Sequence, residues 1–97
     1  MIRKSNEQSV GEAIREFLKR YRLENKLDEV EVMHLWEEIA GPMVSNYTKN
    51  LYVRHKTLYI SVDSAALRNE LNMHRTKIIR SLNKKMGKEV IDNVVFK

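Results

Sequence analysis

The chain contains no cysteine, and it has only one proline and three glycines among its 97 residues. Without cysteine it can form neither a disulfide framework nor a thiolate metal site, which fits a reducing compartment. No apolar run approaches the roughly 20 residues that span a bilayer. The first residues also lack the apolar segment of a signal peptide. We therefore expect a single cytoplasmic domain.

Motifs that carry chemistry are missing as well. The three histidines, His34, His55 and His74, are not spaced as metal ligands. No nucleophile elbow, glycine-rich phosphate loop or pair of facing carboxylates occurs. We predict no metal, no cofactor, no small-molecule substrate and no catalytic activity, so we interpret the protein as a binding module.

Charge is unevenly distributed along the chain. The formal net charge is +5, yet residues 28–47 contain five acidic side chains and no lysine or arginine. The segments on both sides of this acidic stretch are basic. A basic surface attracts nucleic acid by releasing counterions. The alternative, which the sequence leaves open, is an ordinary solvated surface whose charge only keeps the protein soluble.

The spacing of apolar residues predicts an α+β domain in the order α-α-β-β-α-β. The helices are expected from Ser9, from Asp28, and over 64–86, with a hairpin at 48–62 and a last strand at 90–96. We expect residues 1–8 to form a flexible arm and residues 9–97 to form the domain. The simplest arrangement is a three-stranded sheet with the helices packed on one face.

Local signals mark the ends of these elements. Patterns typical of helix N-termini are S-x-x-E at Ser9, D-x-x-E at Asp28, and Asp63-Ser64 before the last helix. Gly41-Pro42 should stop the second helix, and Gly87 should cap the last one. His55-Lys56 should form the hairpin turn, although neither residue is the glycine or asparagine that such turns favour.

Several of these positions together resemble the bacterial DciA-like family, first catalogued as domain-of-unknown-function family 721. The resemblance rests on Trp36, Ile39 and Gly41, on Leu58-x-Ile60-x-Val62-x-Ser64, and on Glu70-Leu71, Leu82-Asn83 and Gly87. It covers about residues 9–97.

The resemblance implies a domain similar to the K-homology fold. It also implies a role in bacterial DNA replication, because some family members act on the replicative helicase and bind DNA weakly. K-homology domains that bind nucleic acid clamp the backbone with a G-x-x-G loop. This sequence has no such loop, since Gly41-Pro42-Met43-Val44 ends in valine. Recognition of RNA by that mode is therefore not expected.

Two surfaces are candidates for binding. Lys77, Arg80 and Lys84, here called the basic ridge, should lie together on the last helix, opposite its apolar side. The basic ridge could contact phosphates, and Arg54 and Lys56 are further candidates for nucleic-acid contact. An ordinary solvated helix surface is the alternative reading.

The second surface is the sheet face away from the helices. Tyr52 and Tyr59 should project from it together with Arg54 and Thr57, and we call this the tyrosine face. It could stack on bases, receive a protein partner, or serve only as cross-strand packing. The open edges of the sheet could also accept a further strand.

Trp36 and Arg75 each have two possible roles. Trp36 is expected in the core, and a partner-binding anchor is its alternative. Arg75 lies near the apolar side of its helix, so it should either run along the edge of the core or pair with an acid of the second helix.

The residues therefore predict a nucleic-acid-associated binding module, and the resemblance alone implies that it acts with the replicative helicase. The alternative is a protein-only adaptor or homodimerisation domain with no nucleic-acid role. The residues do not distinguish DNA from RNA, and they specify neither the oligomeric state nor the protein partner.

Overall fold

The computed structural model describes residues 2–97, with side chains described from Ser9 onward. Its elements in chain order are α1 (Ile2–Arg20), α2 (Glu24–Asn46), β1 (Thr48–Arg54), β2 (Thr57–Val62), α3 (Ala65–Asn72), α4 (Arg75–Met86) and β3 (Asn93–Phe96). This is the α+β class that the sequence predicts. The division into an arm of residues 1–8 and a domain from residue 9 stays a prediction.

The three strands form one sheet in the order β1-β2-β3. Strands β1 and β2 are an antiparallel hairpin in which Tyr52 lies opposite Tyr59. Strand β3 returns after the helical crossover and pairs in parallel with β2, with Tyr59 opposite Val95. The predicted sheet and its crossover are therefore confirmed.

The core lies between the sheet and the helices α2, α3 and α4. Alternation along β2 turns Leu58, Ile60 and Val62 inward, and helix α4 contributes Ile78 and Leu82 from above. The other buried residues of this core are Val32, Trp36, Ile91, Val94 and Phe96. Trp36 is only 1% exposed, which confirms its predicted place in the core.

The single helix expected over 64–86 is instead two helices. Helix α3 ends at Asn72 and α4 begins at Arg75, because His74 leaves the helical region at φ −113° and ψ 17°. A straight helix of that length would be about 33 Å long. A six-residue strand spans only about 20 Å. The break keeps both short helices above the sheet, where a straight helix would overhang it.

Helix α1 and helix α2 begin earlier than their capping patterns suggest. Ser9 lies inside α1, since the residues before it include no proline or glycine to stop the helix. Helix α2 starts at Glu24 without a side-chain cap, so Asp28 lies in its second turn. The Asp28 carboxylate instead approaches the Lys88 ammonium at 2.9 Å. Both predicted capping roles were therefore wrong.

Three other end signals are confirmed. The Ser64 side chain accepts a hydrogen bond from the Leu67 backbone N–H at 3.2 Å, as an N-cap does. Gly87 caps α4 in the left-handed conformation, at φ 76°. Gly41 breaks α2 at φ 83° and ψ 170°, and Pro42 then begins a further helical turn that ends at Asn46.

Candidate nucleic-acid interface

The basic ridge forms one side of helix α4. Burial of Ile78 and Leu82 fixes the rotation of this helix about its axis. Residues 77, 80 and 84 then fall on the opposite side, because each residue advances the helix by about 100°. All three side chains of the ridge are exposed. The structure therefore brings Lys77, Arg80 and Lys84 together, facing away from the sheet.

The positive charge of the ridge is not neutralised by neighbouring acids. Among the side chains described from residue 9 onward, none of the three ridge residues is in an ion pair. Helix α4 begins at Arg75, and His74 before it provides no side-chain cap, which leaves first-turn N–H groups beside Lys77. These N–H groups carry partial positive charge and add to the field of the ridge. Such a surface can hold a run of phosphates, and no base-reading motif accompanies it in the sequence.

Arg54 and Lys56 lie elsewhere, at the tip of the hairpin. Both are exposed, and Lys56 belongs to the two-residue turn with His55. The turn residues have φ of +50° and +59°, the combination of a type I′ hairpin turn, which glycine and asparagine adopt most easily. The structure does not join Arg54 and Lys56 to the basic ridge, because the ridge points away from the sheet.

A cleft of about 490 Å³ adjoins this turn. The charged residues that line it are mixed: the two lysines Lys56 and Lys88 are outnumbered by the acids Asp28, Glu29 and Glu89. A phosphate entering here would meet three carboxylates. The cleft therefore offers a poorer site for a nucleic-acid backbone than the basic ridge does.

The tyrosine face is an assembled cluster. The rings of Tyr52 and Tyr59 stack with centroids 4.8 Å apart and planes 13° from parallel. The Lys97 ammonium lies 5.3 Å and 5.4 Å from the two ring centroids, and it donates to the Tyr52 hydroxyl at 3.0 Å. Cross-strand register places the two rings together, because Tyr52 and Tyr59 are directly opposite. Sequence reasoning found the tyrosines but missed Lys97, which only the β3 register brings beside them.

Arg75 protects the free edge of strand β3. Its Nε donates to the Val94 carbonyl at 3.1 Å, and its guanidinium also donates to the Asn93 side chain. The backbone N–H and carbonyl of Lys97 both hydrogen-bond to β2. Successive residues of an edge strand direct these groups alternately toward and away from the neighbouring strand, so Val94, three residues earlier, directs its backbone groups toward the open edge. Of the two expectations for Arg75, a position at the edge of the core is the one observed. The acid pair with the second helix is not.

Asparagine side chains occupy both open edges of the sheet. Asn93 accepts from the Val94 N–H, and Asn50 accepts from the Leu51 N–H, each at 2.9 Å. An edge whose backbone donors are occupied offers fewer partners to an incoming strand. These contacts argue against strand addition as the way this domain binds partners.

Other kinds of site find little support in the described residues. Among the side chains described from Ser9 to Lys97, no three or more His, Cys, Asp or Glu residues are grouped so that they could hold a metal ion. His74 instead lies 3.6 Å from Glu70, one helical turn before it. No helix in this part of the chain is long and apolar enough to cross a membrane.

Comparisons with known proteins place the chain in context. The model of a family described as "Dna[CI] antecedent, DciA" matches residues 9–96. A curated relative, a "UPF0232 protein" of Corynebacterium glutamicum (strain R), is 30% identical over 56 residues. That match covers 58% of this chain and 32% of the relative, so the chain matches about a third of the relative's length.

Proposed function

The chain belongs to the DciA family, and on that premise we propose that it is a non-enzymatic cytoplasmic module that acts with the bacterial replicative helicase and binds DNA weakly. The observation that carries the proposal is the family match over residues 9–96, because it covers the whole sheet and its helices. The basic ridge supplies the DNA contact, and the tyrosine face supplies the protein contact.

The basic ridge suits a nucleic-acid backbone. From Lys77 to Lys84 the helix rises about 10 Å, at 1.5 Å per residue. One strand of duplex DNA carries a phosphate about every 3.4 Å along the helix axis, so the ridge spans about three phosphates. Contacts to phosphates position a protein without reading sequence. The DNA binding that we propose is therefore weak, sensitive to salt and indifferent to sequence.

The tyrosine face suits a protein partner better than a base. The two rings already stack on one another, and Lys97 lies beside both. A base would have to separate this cluster before it could insert between the rings. Tyrosine and arginine are enriched at protein interfaces, and the face presents Arg54 with the two tyrosines. We assign it to the helicase.

Charge reversal of the basic ridge tests the DNA contact. The triple variant Lys77→Glu, Arg80→Glu, Lys84→Glu should weaken binding to all duplex sequences equally. It should also flatten the slope of log affinity against log salt by up to about 2.7, at 0.9 per lost phosphate contact. Fluorescence anisotropy with a labelled duplex and a labelled single strand, over a salt series, measures both quantities.

The matched control makes the same change of net charge at dispersed exposed positions: Lys26→Glu, Lys49→Glu, Lys85→Glu. A clearly smaller loss in the control locates the DNA site on the ridge. Equal losses in the two variants would show that only bulk charge matters and would remove the ridge from the proposal. If the wild type binds no DNA at low salt, the DNA part of the proposal fails, and a protein-only adaptor takes its place.

A second pair of variants tests the helicase contact. Tyr52→Ala combined with Tyr59→Ala should reduce co-elution with the replicative helicase of the same bacterium in size-exclusion chromatography. The salt slope of DNA binding should stay unchanged, because the tyrosine face and the basic ridge point in opposite directions. Tyr47→Ala is the control, since this tyrosine is exposed but lies outside the face. Unchanged co-elution of the double variant would exclude the tyrosine face.

A further inference from the structure

Helix α1 presents an apolar stripe that nothing in its own domain covers. Val10, Ile14, Phe17 and Tyr21 lie within a sector of about 60° on the helix, at 100° per residue. Each is between 54% and 58% exposed. Among the α1 side chains that the structure describes, from Ser9 to Arg20, none belongs to the core cluster or packs against it. The chain is accordingly elongated, with extents of 56, 25 and 22 Å.

Helix α2 carries a second exposed apolar stripe on the side opposite its buried one. Val32 and Trp36 are in the core, whereas Leu27 and Val30 are 56% and 49% exposed. An open groove of about 400 Å³ runs along this outer side and is lined by Leu27, Val30, Glu31, His34, Leu35 and Glu38. The domain therefore has an exposed apolar stripe on α1 and an apolar groove on α2.

The two helices have opposite charge. Between residues 9 and 22 the basic side chains Arg15, Lys19, Arg20 and Arg22 outnumber the acids Glu12 and Glu16. From Glu24 to Glu38, helix α2 holds six acids and a single lysine, Lys26. Both carboxylates of the groove, Glu31 and Glu38, are acids of this set. The two helices are thus complementary in apolar surface and opposite in net charge, with Arg20 about 90° from the α1 stripe and with Arg15 and Lys19 on the far side of the helix.

The connection between the helices prevents α1 from covering α2 of the same chain. The Leu23 N–H donates to the Leu18 carbonyl at 2.8 Å, and the Arg22 N–H donates to the Lys19 carbonyl at 3.2 Å. With Arg22 left-handed at φ 55°, these bonds form a Schellman motif that fixes the direction of the chain. Folding α1 back onto its own α2 would break that motif.

We propose that two copies of this chain form a symmetric dimer in which α1 of each copy lies in the α2 groove of the other. The arrangement is isologous, so the same pair of contacts occurs twice and the assembly closes at two subunits. It covers both apolar stripes and brings the basic helix against the acidic one. Neither the basic ridge nor the tyrosine face takes part, so the dimer does not depend on the proposed function.

Sedimentation velocity over a wide concentration range tests the proposal. The wild type should shift from monomer to dimer as its concentration rises. Phe17→Asp, which alters the α1 stripe, and Leu27→Asp, which alters the groove, should each remain monomeric. Met73→Asp is the control, because Met73 is an apolar residue that is even more exposed than Phe17 and Leu27, lies outside both stripes, and should leave the dimer intact when replaced. A wild type that stays monomeric throughout overturns the proposal.

Mixing the two variants tests the reciprocal geometry. Each variant alone loses both contacts of its homodimer. An equimolar mixture of Phe17→Asp and Leu27→Asp keeps one intact contact, between the α1 of the second variant and the groove of the first. The mixture should therefore form a heterodimer weaker than the wild-type dimer. No heterodimer, with a wild type that does dimerise, would contradict the exchange, and a Leu27→Asp variant that still dimerises alone would show that α1 pairs with α1 instead.

The fluorescence of Trp36 keeps this test independent of folding. Trp36 is the single tryptophan, and it is buried in the core away from both stripes. Its emission maximum should be the same in the wild type and both variants. A variant with a red-shifted maximum is unfolded, and Ile14→Asp or Val30→Asp then replaces it on the same helix.

Discussion

Trp36 and Phe96 meet ring against ring in the core, with centroids 5.9 Å apart and planes at 53°. Trp36 comes from helix α2 and Phe96 from the last strand, so this contact joins the first element of the core to the final one. The tilted geometry is one that aromatic pairs favour. The indole Nε1 of Trp36 has no hydrogen-bond partner among the described residues.

Replacing Trp36 therefore should be costly, but the cost depends on the substitute. Trp36→Ala should lower the free energy of unfolding by about 3–5 kcal/mol, because it leaves a large cavity. Trp36→Phe should cost clearly less, since it keeps a ring beside Phe96 and removes a buried N–H without a partner. Urea unfolding followed by circular dichroism compares the two. Equal losses would mean that a ring beside Phe96 contributes nothing to stability.

The hairpin turn should become more stable with glycine. Lys56 has φ of +59°, a left-handed conformation that costs an L-residue roughly 1–2 kcal/mol. Lys56→Gly relieves that strain but adds freedom to the unfolded chain, so we expect a net gain of about 0.5–1 kcal/mol. Lys56→Ala removes the charge and keeps the strain, so it should give no gain. A stability increase shared by both variants would attribute the effect to charge.

Asn83 should be difficult to replace because one side chain ties helix α4 to the segment before β3. Its amide donates to the Ile91 carbonyl at 2.7 Å, and its oxygen accepts from the N–H groups of Val90 and Ile91. Asn83→Asp keeps the acceptor, but it places a carboxylate oxygen against a carbonyl.

We expect Asn83→Asp to lower the free energy of unfolding by about 1 kcal/mol in thermal unfolding, because a half-buried carbonyl loses its donor. Asn72→Asp is the matched control, because Asn72 is exposed at the end of α3. A control that destabilises as much as Asn83→Asp would show that added negative charge, and not the lost donor, is responsible.

Arg75 should matter for association as well as for stability. Arg75→Ala removes the donors that occupy the Val94 carbonyl and Asn93, and it leaves the β3 edge open. We expect a loss of about 1 kcal/mol and more strand-mediated aggregation on prolonged incubation. Light scattering compares the aggregation of Arg75→Ala with that of the control Arg80→Ala, which removes an exposed arginine of the same helix. Identical scattering would show that β3 needs no such protection.

The sequence predicted most helices and strands of this domain, but it did not predict the break that divides α3 from α4. Alternation in β2 identified both the strand and its buried face, and Ser64, Gly41 and Gly87 marked real helix boundaries. The break between α3 and α4 at Met73-His74 contains no proline or glycine, so no local sequence signal predicts it. We attribute the break to the length of the sheet that the helices cover. Local propensity cannot report that length.

The candidate sites were predictable to different degrees. Helical spacing was enough to group Lys77, Arg80 and Lys84, since one helix supplies all three. The Lys97 contact with Tyr52 and Tyr59 depends on the order of strands, which no local pattern contains. The spacing of Val10, Ile14 and Phe17 showed an amphipathic helix, but amphipathicity does not say which surface covers it.

The parallel pairing of β2 with β3 has a consequence for the order in which the domain folds. The β1–β2 hairpin joins neighbouring residues and can form within microseconds. Strand β3 has to close a loop that contains both α3 and α4, and such non-local contacts form slowly. We therefore expect the hairpin to assemble early and β3 to dock late. Because docking brings Phe96 onto Trp36, indole fluorescence in a stopped-flow experiment should follow that last event.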